Sequence, residues 1–222
     1  MEPIHKLRKL LEASKFETRM EGVTILLDQC KTSPQFVSTN IVQIFDHFVP
    51  RTGDTHKKVK QKALEVLAEM IGILKDGLNP VMIRLIEGVT NNLNSKDPGI
   101  YGAAVKALEE SIAHLDKVSL MKELSNRRTH LSGQALLDVT ERIAVLVEWV
   151  YPRKPEVITR YTLPVLWSFL GNKALPVRSA NVRPVVSKLA IALHKVMGSK
   201  LKKLAASQPS HVQKNLSNIL LW

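Results

Sequence analysis

The residues best placed to do chemistry are cations. Lys57, Lys58 and Lys60 follow the breaker Pro50 to Gly53, and Arg178 follows Pro176. Each falls in or beside the first turn of an expected helix. A helix N-terminus carries partial positive charge, so a cation there opposes stability by a few tenths of a kcal/mol. Stability alone favours Asp or Glu at such positions, so bases there fit an anionic partner meeting that end of the helix. Lys15, Lys96, Arg127, Arg128 and Lys173 sit on comparable turns. This is docking chemistry. For catalysis the signals are poor: Gly-x-Ser-x-Gly, a phosphate loop and His-Glu-x-x-His are all absent from the sequence. The seven histidines (5, 47, 56, 114, 130, 194 and 211) form no i, i+4 ligand pair, so no metal or cofactor is expected.

The charge balance agrees with docking. The 222 residues hold 32 Lys plus Arg against 20 Asp plus Glu, a net of +12. Residues 1–150 are nearly balanced at +1, whereas residues 151–222 carry 12 bases and only Glu156 as acid. An acidic partner surface would suit that excess, and a merely solubilising surface would also produce it. Lone Cys30 rules out an internal disulfide, and the expectation is a buried, inert thiol. No apolar run reaches the ~20 residues of a membrane span, and Met1 to Lys6 lack a signal peptide's apolar segment. A soluble cytoplasmic chain with no membrane and no nucleic-acid partner is expected.

Helices must position these side chains. Apolar residues recur at spacings of three and four, as in Ile41, Ile44, Phe45 and Phe48, then Val59, Ala63, Leu64 and Leu67. Breakers separate the stretches at Ser33-Pro34, Gly77 to Pro80, Asp97-Pro98-Gly99, Pro152 to Pro155, Gly171 to Pro176 and Gly198. Asp54 or Thr55, Asp97 and Ser132 are the expected helix caps. Trp149 and Trp167 fall at helical spacing with Leu146 and Leu170, which places both in the core. Pro184 is expected to kink its helix.

Positions Met20, Val59, Ile100, Val139 and Val177 recur at intervals of 39, 41, 39 and 38 residues. Five residues beyond each comes Ile25, Leu64, Val105, Ala144 or Val182, all apolar. A helical pair with a period near 40 is the signature of HEAT or armadillo arrays, in which stacked pairs bury a face that none could bury alone. The chain is therefore expected to be all-α, an α-solenoid of about six HEAT repeats in a single domain, 1–222. Its repeats run roughly 1–31, 33–75, 78–116, 117–152, 155–198 and 199–222. Intra-repeat turns share one edge of such an array, which gathers the cations.

The segment Ser14-Lys15-Phe16-Glu17-Thr18-Arg19-Met20-Glu21-Gly22-Val23 resembles the opening of TOG domains, where an aromatic, usually Trp, stands three residues before an Arg. The size, the repeats and the turns Asp54 to Val59 and Pro176 to Arg178 are similar to that family, most of all to the C-terminal TOG domain of the crescerins. The resemblance implies a flat paddle, no enzymatic activity, no cofactor, and αβ-tubulin or the microtubule lattice as partner. It further implies a cytoskeletal setting that extends to the cilium and axoneme, in a domain of a longer chain. The tubulin-binding residues it implies are Phe16, Arg19, His56, Lys57, Lys58, Ser95, Lys96, Arg127, Arg128, Lys173 and Arg178. Phe16 in place of Trp loses an indole N–H donor, and it could instead be a hydrophobic staple. The absence of a heptad seam favours a monomer.

Two other functions fit the same architecture. One is a HEAT scaffold that does not touch tubulin. The other is a HEAT-like alkylpurine DNA glycosylase using Asp138 and Trp149, whose eleven-residue separation is about 16 Å along one helix, too far to flank one base.

Overall fold

The computed structural model describes residues 2–172 and 181–222, and among them no strand occurs. Helices form where the apolar residues recur at three and four and stop at the breakers. Pro34, the first residue of its helix, ends the one before, and Gly198 takes φ 57° to close another. The chain divides into two units, Met1–Asp116 and Lys117–Trp222.

In the first unit the helices are α1 (Glu2–Leu11), α2 (Phe16–Thr32), α3 (Pro34–Thr39), α4 (Ile41–Thr52), α5 (Lys57–Leu74), α6 (Met82–Thr90) and α7 (Pro98–His114), with a 3-10 segment at Lys75–Val81. α2, α5 and α7 pack side by side, and α1, α4 and α6 form a second layer against them. Phe45, Phe48, Leu26, Leu64, Leu67 and Ile71 are fully buried between the layers. α5 is apolar around much of its girth because it meets neighbours on three sides, α2, α4 and α7. Truncating a side chain such as Leu64 to Ala there would cost about 2–5 kcal/mol. α1 and α2 approach most closely at Gly22, where a Cβ would lie 3.0 Å from Leu10 Cβ and 3.1 Å from the Leu11 nitrogen.

The second unit comprises α8 (Lys117–Arg127), a 3-10 turn (Arg128–His130), α9 (Gly133–Arg153), α10 (Pro155–Val157), α11 (Leu163–Leu170), α12 (Val182–Met197), α13 (Ser199–Ala205) and α14 (Ser210–Leu220). α9 packs on α8 and α12, and α12 on α14. A π-helical turn, Ile158–Thr162, joins α10 to α11. Pro164 just beyond it has no N–H to return to the Arg160 carbonyl, and the ladder widens before it.

Two expectations about single residues change. Pro184 is the third residue of α12 and not a mid-helix kink; its missing N–H falls among the first-turn donors that have no intrahelical partner. Trp149 is 37% exposed and is not core: the Arg153 guanidinium lies 4.0 Å from its ring centroid and Lys117 Nζ 5.9 Å. Trp167 is half-buried. Cys30 is fully buried, and burial pushes its thiol up to about 12.

Candidate functional site

α1 ends at Leu11 and α2 starts at Phe16, leaving a short turn that Arg19 clamps. Arg19 Nη1 donates to the carbonyls of Ala13 (3.0 Å) and Ser14 (2.9 Å). Its Nε and Nη2 donate to both carboxylate oxygens of Asp54, at 2.9 and 3.0 Å. Asp54 lies in the turn between α4 and α5 and also accepts from Arg51 Nη1 (2.9 Å) and the His56 backbone N–H (2.8 Å). Burial would raise the Asp54 carboxyl, but the Arg19 hydrogen bond, the His56 N–H and the charges of Arg51 and Arg19 together hold it below the usual carboxylate range.

Neither expected cap of α5 does that job. Asp54 is consumed by two guanidiniums, Thr55 is exposed, and the cap is His56, whose Nδ1 accepts from the Lys58 N–H at 3.2 Å. Arg19 likewise spends its donors on internal partners, with its side chain only 12% exposed. In this structure it holds the first two turns together and offers little to a partner.

The His56 ring stacks on Phe16, centroids 3.7 Å apart and planes 13° apart. Phe16 thus packs face to face on the neighbouring repeat's turn, and both it and His56 stay half-buried. Lys57 and Lys58 stand beside it, exposed, in a first helical turn that contains no acid. No described carboxylate pairs with either.

The third turn is tied to the second by Asn92, whose Nδ2 donates to the Thr52 carbonyl (3.0 Å) and to that of Gly88 (2.8 Å). Asp97 caps α7 as expected, accepting from the N–H groups of Gly99 (2.9 Å) and Ile100 (3.2 Å). Ser95 Oγ accepts from the Asp97 N–H at 3.2 Å, and Lys96 beside it is exposed. Phe16, His56, Lys57, Lys58, Ser95 and Lys96 therefore occupy three adjoining turns that form one continuous edge of the first unit. Lys15 adds an exposed cation to that edge and Glu17 an exposed acid.

In the second unit Arg127 and Arg128 end α8 and begin the turn to α9, both half-buried. Arg128 turns inward: its Nη2 donates to Ser168 Oγ, and its guanidinium lies 5.7 Å from the Phe169 ring centroid. Burial works against its charge. Lys173 and Arg178 lie outside the described residues. The couple Asp138 and Trp149 is engaged elsewhere, with Asp138 accepting from Gln134 (3.0 Å) and Trp149 stacked with Arg153.

Asp54, Thr52 and Asn92 build the edge and were not among the expected site residues. Only the fall of Asp54 three residues after Arg51, just before a helix start, could have signalled one of them.

No protein-family model matches the sequence. The chain is 39% identical, over 99% of its length, to "TOG array regulator of axonemal microtubules protein 1" of Mus musculus. It is equally similar, over 95% of its length, to the Homo sapiens protein of that name. It is 24% identical over 92% of its length to "Crescerin-like protein che-12" of Caenorhabditis elegans, of which it covers 16%. A solved structure described as "TOG-tubulin binding specificity promotes microtubule dynamics and mitotic spindle formation" superposes on 98% of the chain and 80% of its own, with TM-score 0.73 and 12% identity. Over nearly its whole length the chain is thus similar to a segment of these TOG array proteins. It spans about 13% of the length of the mouse and human relatives. The structural neighbour, at its low identity, establishes the helical-repeat fold alone.

Proposed function

We propose that this chain is a TOG-type domain, a non-enzymatic tubulin- or microtubule-binding module that regulates microtubule dynamics through its turn edge. The observation that carries the reading is the exposed pair Lys57 and Lys58, unpaired with any described carboxylate, at the N-terminus of α5 beside the Phe16–His56 stack. Cations there oppose the helix dipole, and an acidic partner surface offsets that cost. The ring pair supplies the apolar contact, Lys57, Lys58 and Lys96 supply charge-assisted contacts to tubulin acids, and Ser95 supplies a polar one. Arg19 acts by holding the turns in place. In the second unit Arg127 would be a further contact, and Lys173 and Arg178 are proposed as contacts from the sequence resemblance alone.

The names of the relatives, regulators of axonemal microtubules, support the partner class and a cytoskeletal or ciliary setting. No described helix is long and apolar enough to cross a membrane. Residues 1–222 act as one monomeric module of six helical pairs within a longer chain, and a single such module recruits tubulin or holds the lattice.

Co-elution with αβ-tubulin by size exclusion, at low and at near-physiological salt, tests the reading. A complex that survives the higher salt reflects a shaped interface and not bulk charge alone. Lys57→Glu with Lys58→Glu, and separately Phe16→Glu, should abolish it while the helical spectrum is unchanged. Undiminished binding by both variants would refute the edge. Absence of a wild-type complex at either salt would refute tubulin dimer as the partner.

A further inference from the structure

We infer that the second unit carries a separate site, a basic cleft that binds an acidic peptide segment. The cleft, about 600 Å³, opens between the N-terminal half of α8, the start of the 155–170 helix and α13. Its volume lies within the range of ordinary ligand clefts. Val118, Val157 and Tyr161 contribute apolar surface, and Lys122, Arg160 and Lys200 converge on it from three different elements, with Lys154 from the junction between α9 and α10. Lys154, Arg160 and Lys200 are exposed, Lys122 is half-exposed, and no described carboxylate pairs with any of the four. Glu156, exposed at the rim, is the one acid lining the cleft.

Four cations directed at one depression repel each other. A surface evolved only for solubility would interleave charges of both signs. Some bases elsewhere in this unit do find acids, Lys188 with Glu141 at 2.9 Å and Lys195 with Glu148 at 2.5 Å. What sets the cleft cations apart is their convergence on one recess, where carboxylates from outside would complete them.

The geometry distinguishes among anionic partners. A nucleic acid held by stacking needs open aromatic faces. Here Tyr161 is attended by Arg160 at 5.5 Å and Lys122 at 5.9 Å, and Trp149 by Arg153 and Lys117. A bilayer surface is met by protruding apolar groups, whereas the apolar residues here line a recess. An extended chain bearing Glu or Asp side chains can lie in the recess and reach cations on both walls. The π turn at Ile158–Thr162, which accommodates Pro164, carries Arg160 and Tyr161 to it.

Val118 is ten residues from Arg128 along α8 and its turn, about 15 Å at a helical rise, while Arg160 and Tyr161 also line the depression beside Arg128. The inference stands whether or not the edge of the first unit binds tubulin.

The test is fluorescence anisotropy of the whole chain with fluorescein-labelled octaglutamate at 50 mM NaCl. Octaglutamine, vesicles containing 30% phosphatidylserine and a 15-nucleotide oligo-dT serve as comparisons. The expected result is saturable octaglutamate binding that the triple variant Lys122→Glu, Arg160→Glu, Lys200→Glu weakens at least about tenfold, each exposed pair contributing a few tenths to 1 kcal/mol. A charge-matched control, Lys6→Glu, Lys9→Glu, Lys214→Glu, should stay within about twofold. Equal loss in the two triple variants, or octaglutamate bound no better than octaglutamine, overturns the proposal. So does tighter binding to vesicles or oligo-dT that disappears in the cleft variant, because the occupant would then be a lipid surface or a nucleic acid.

Discussion

Replacing Asp54 with Asn keeps the shape of the side chain and removes its charge. Asp54 receives hydrogen bonds from Arg19, Arg51 and the His56 backbone. Breaking a fully buried pair by neutralising one partner costs about 3–5 kcal/mol. Here the Arg19 and Arg51 side chains keep 12% and 18% of their surface in contact with water, which recovers part of the loss. The expected cost is therefore about 2–3 kcal/mol. Cys30 provides the assay, because it lies in the same unit, is fully buried, and has a thiol pushed up to about 12, so reagent reaches it only after opening. Labelling by a thiol reagent, under conditions where reclosing outruns reaction, should accelerate about 30- to 150-fold in Asp54→Asn. A change of less than threefold would refute the clamp. The sign of the pH effect follows from the lowered Asp54 pKa. The wild-type contribution is complete above the unfolded carboxylate pKa, near 4, and is lost as pH falls through the lower folded value. The stability difference between wild type and Asp54→Asn should therefore be constant from about pH 5 to 8 and shrink below pH 4.

Two other perturbations probe the scaffold. Gly22→Ala places a methyl 3.0 Å from Leu10 Cβ and 3.1 Å from the Leu11 backbone; overpacking should outweigh the ~1 kcal/mol gain in helix propensity and leave a net loss of about 1–2 kcal/mol in denaturant unfolding. Lys75 closes α5 at φ 46°, ψ −118°, a conformation that favours glycine. Lys75→Gly should therefore raise stability by about 1 kcal/mol, and an unchanged or lower melting temperature would show that the backbone relaxes without strain.

Much of this molecule is written locally. Which residues share a helical face, where Pro34 and Gly198 end helices, that Asp97 caps α7 and that Cys30 is buried all follow from neighbours within a few positions, because helix geometry repeats every 3.6 residues. The same information does not say which turn lies against which. Arg19 and Asp54 stand 35 residues apart and meet only because stacked pairs bring successive turns together. That pairing diverted Asp54 from capping and left His56 to cap α5 and stack on Phe16. Trp149 and Arg128 show the limit from the other side. Spacing placed Trp149 in the core, yet its ring lies at the surface between cations. The basic character of Arg128 suggested a free contact, yet it turns toward Ser168 and Phe169. The residue pattern determined the elements and their buried faces, while their stacking decided which charges were neutralised and which remained for a partner, since Coulomb and stacking interactions depend on distances that local periodicity leaves open.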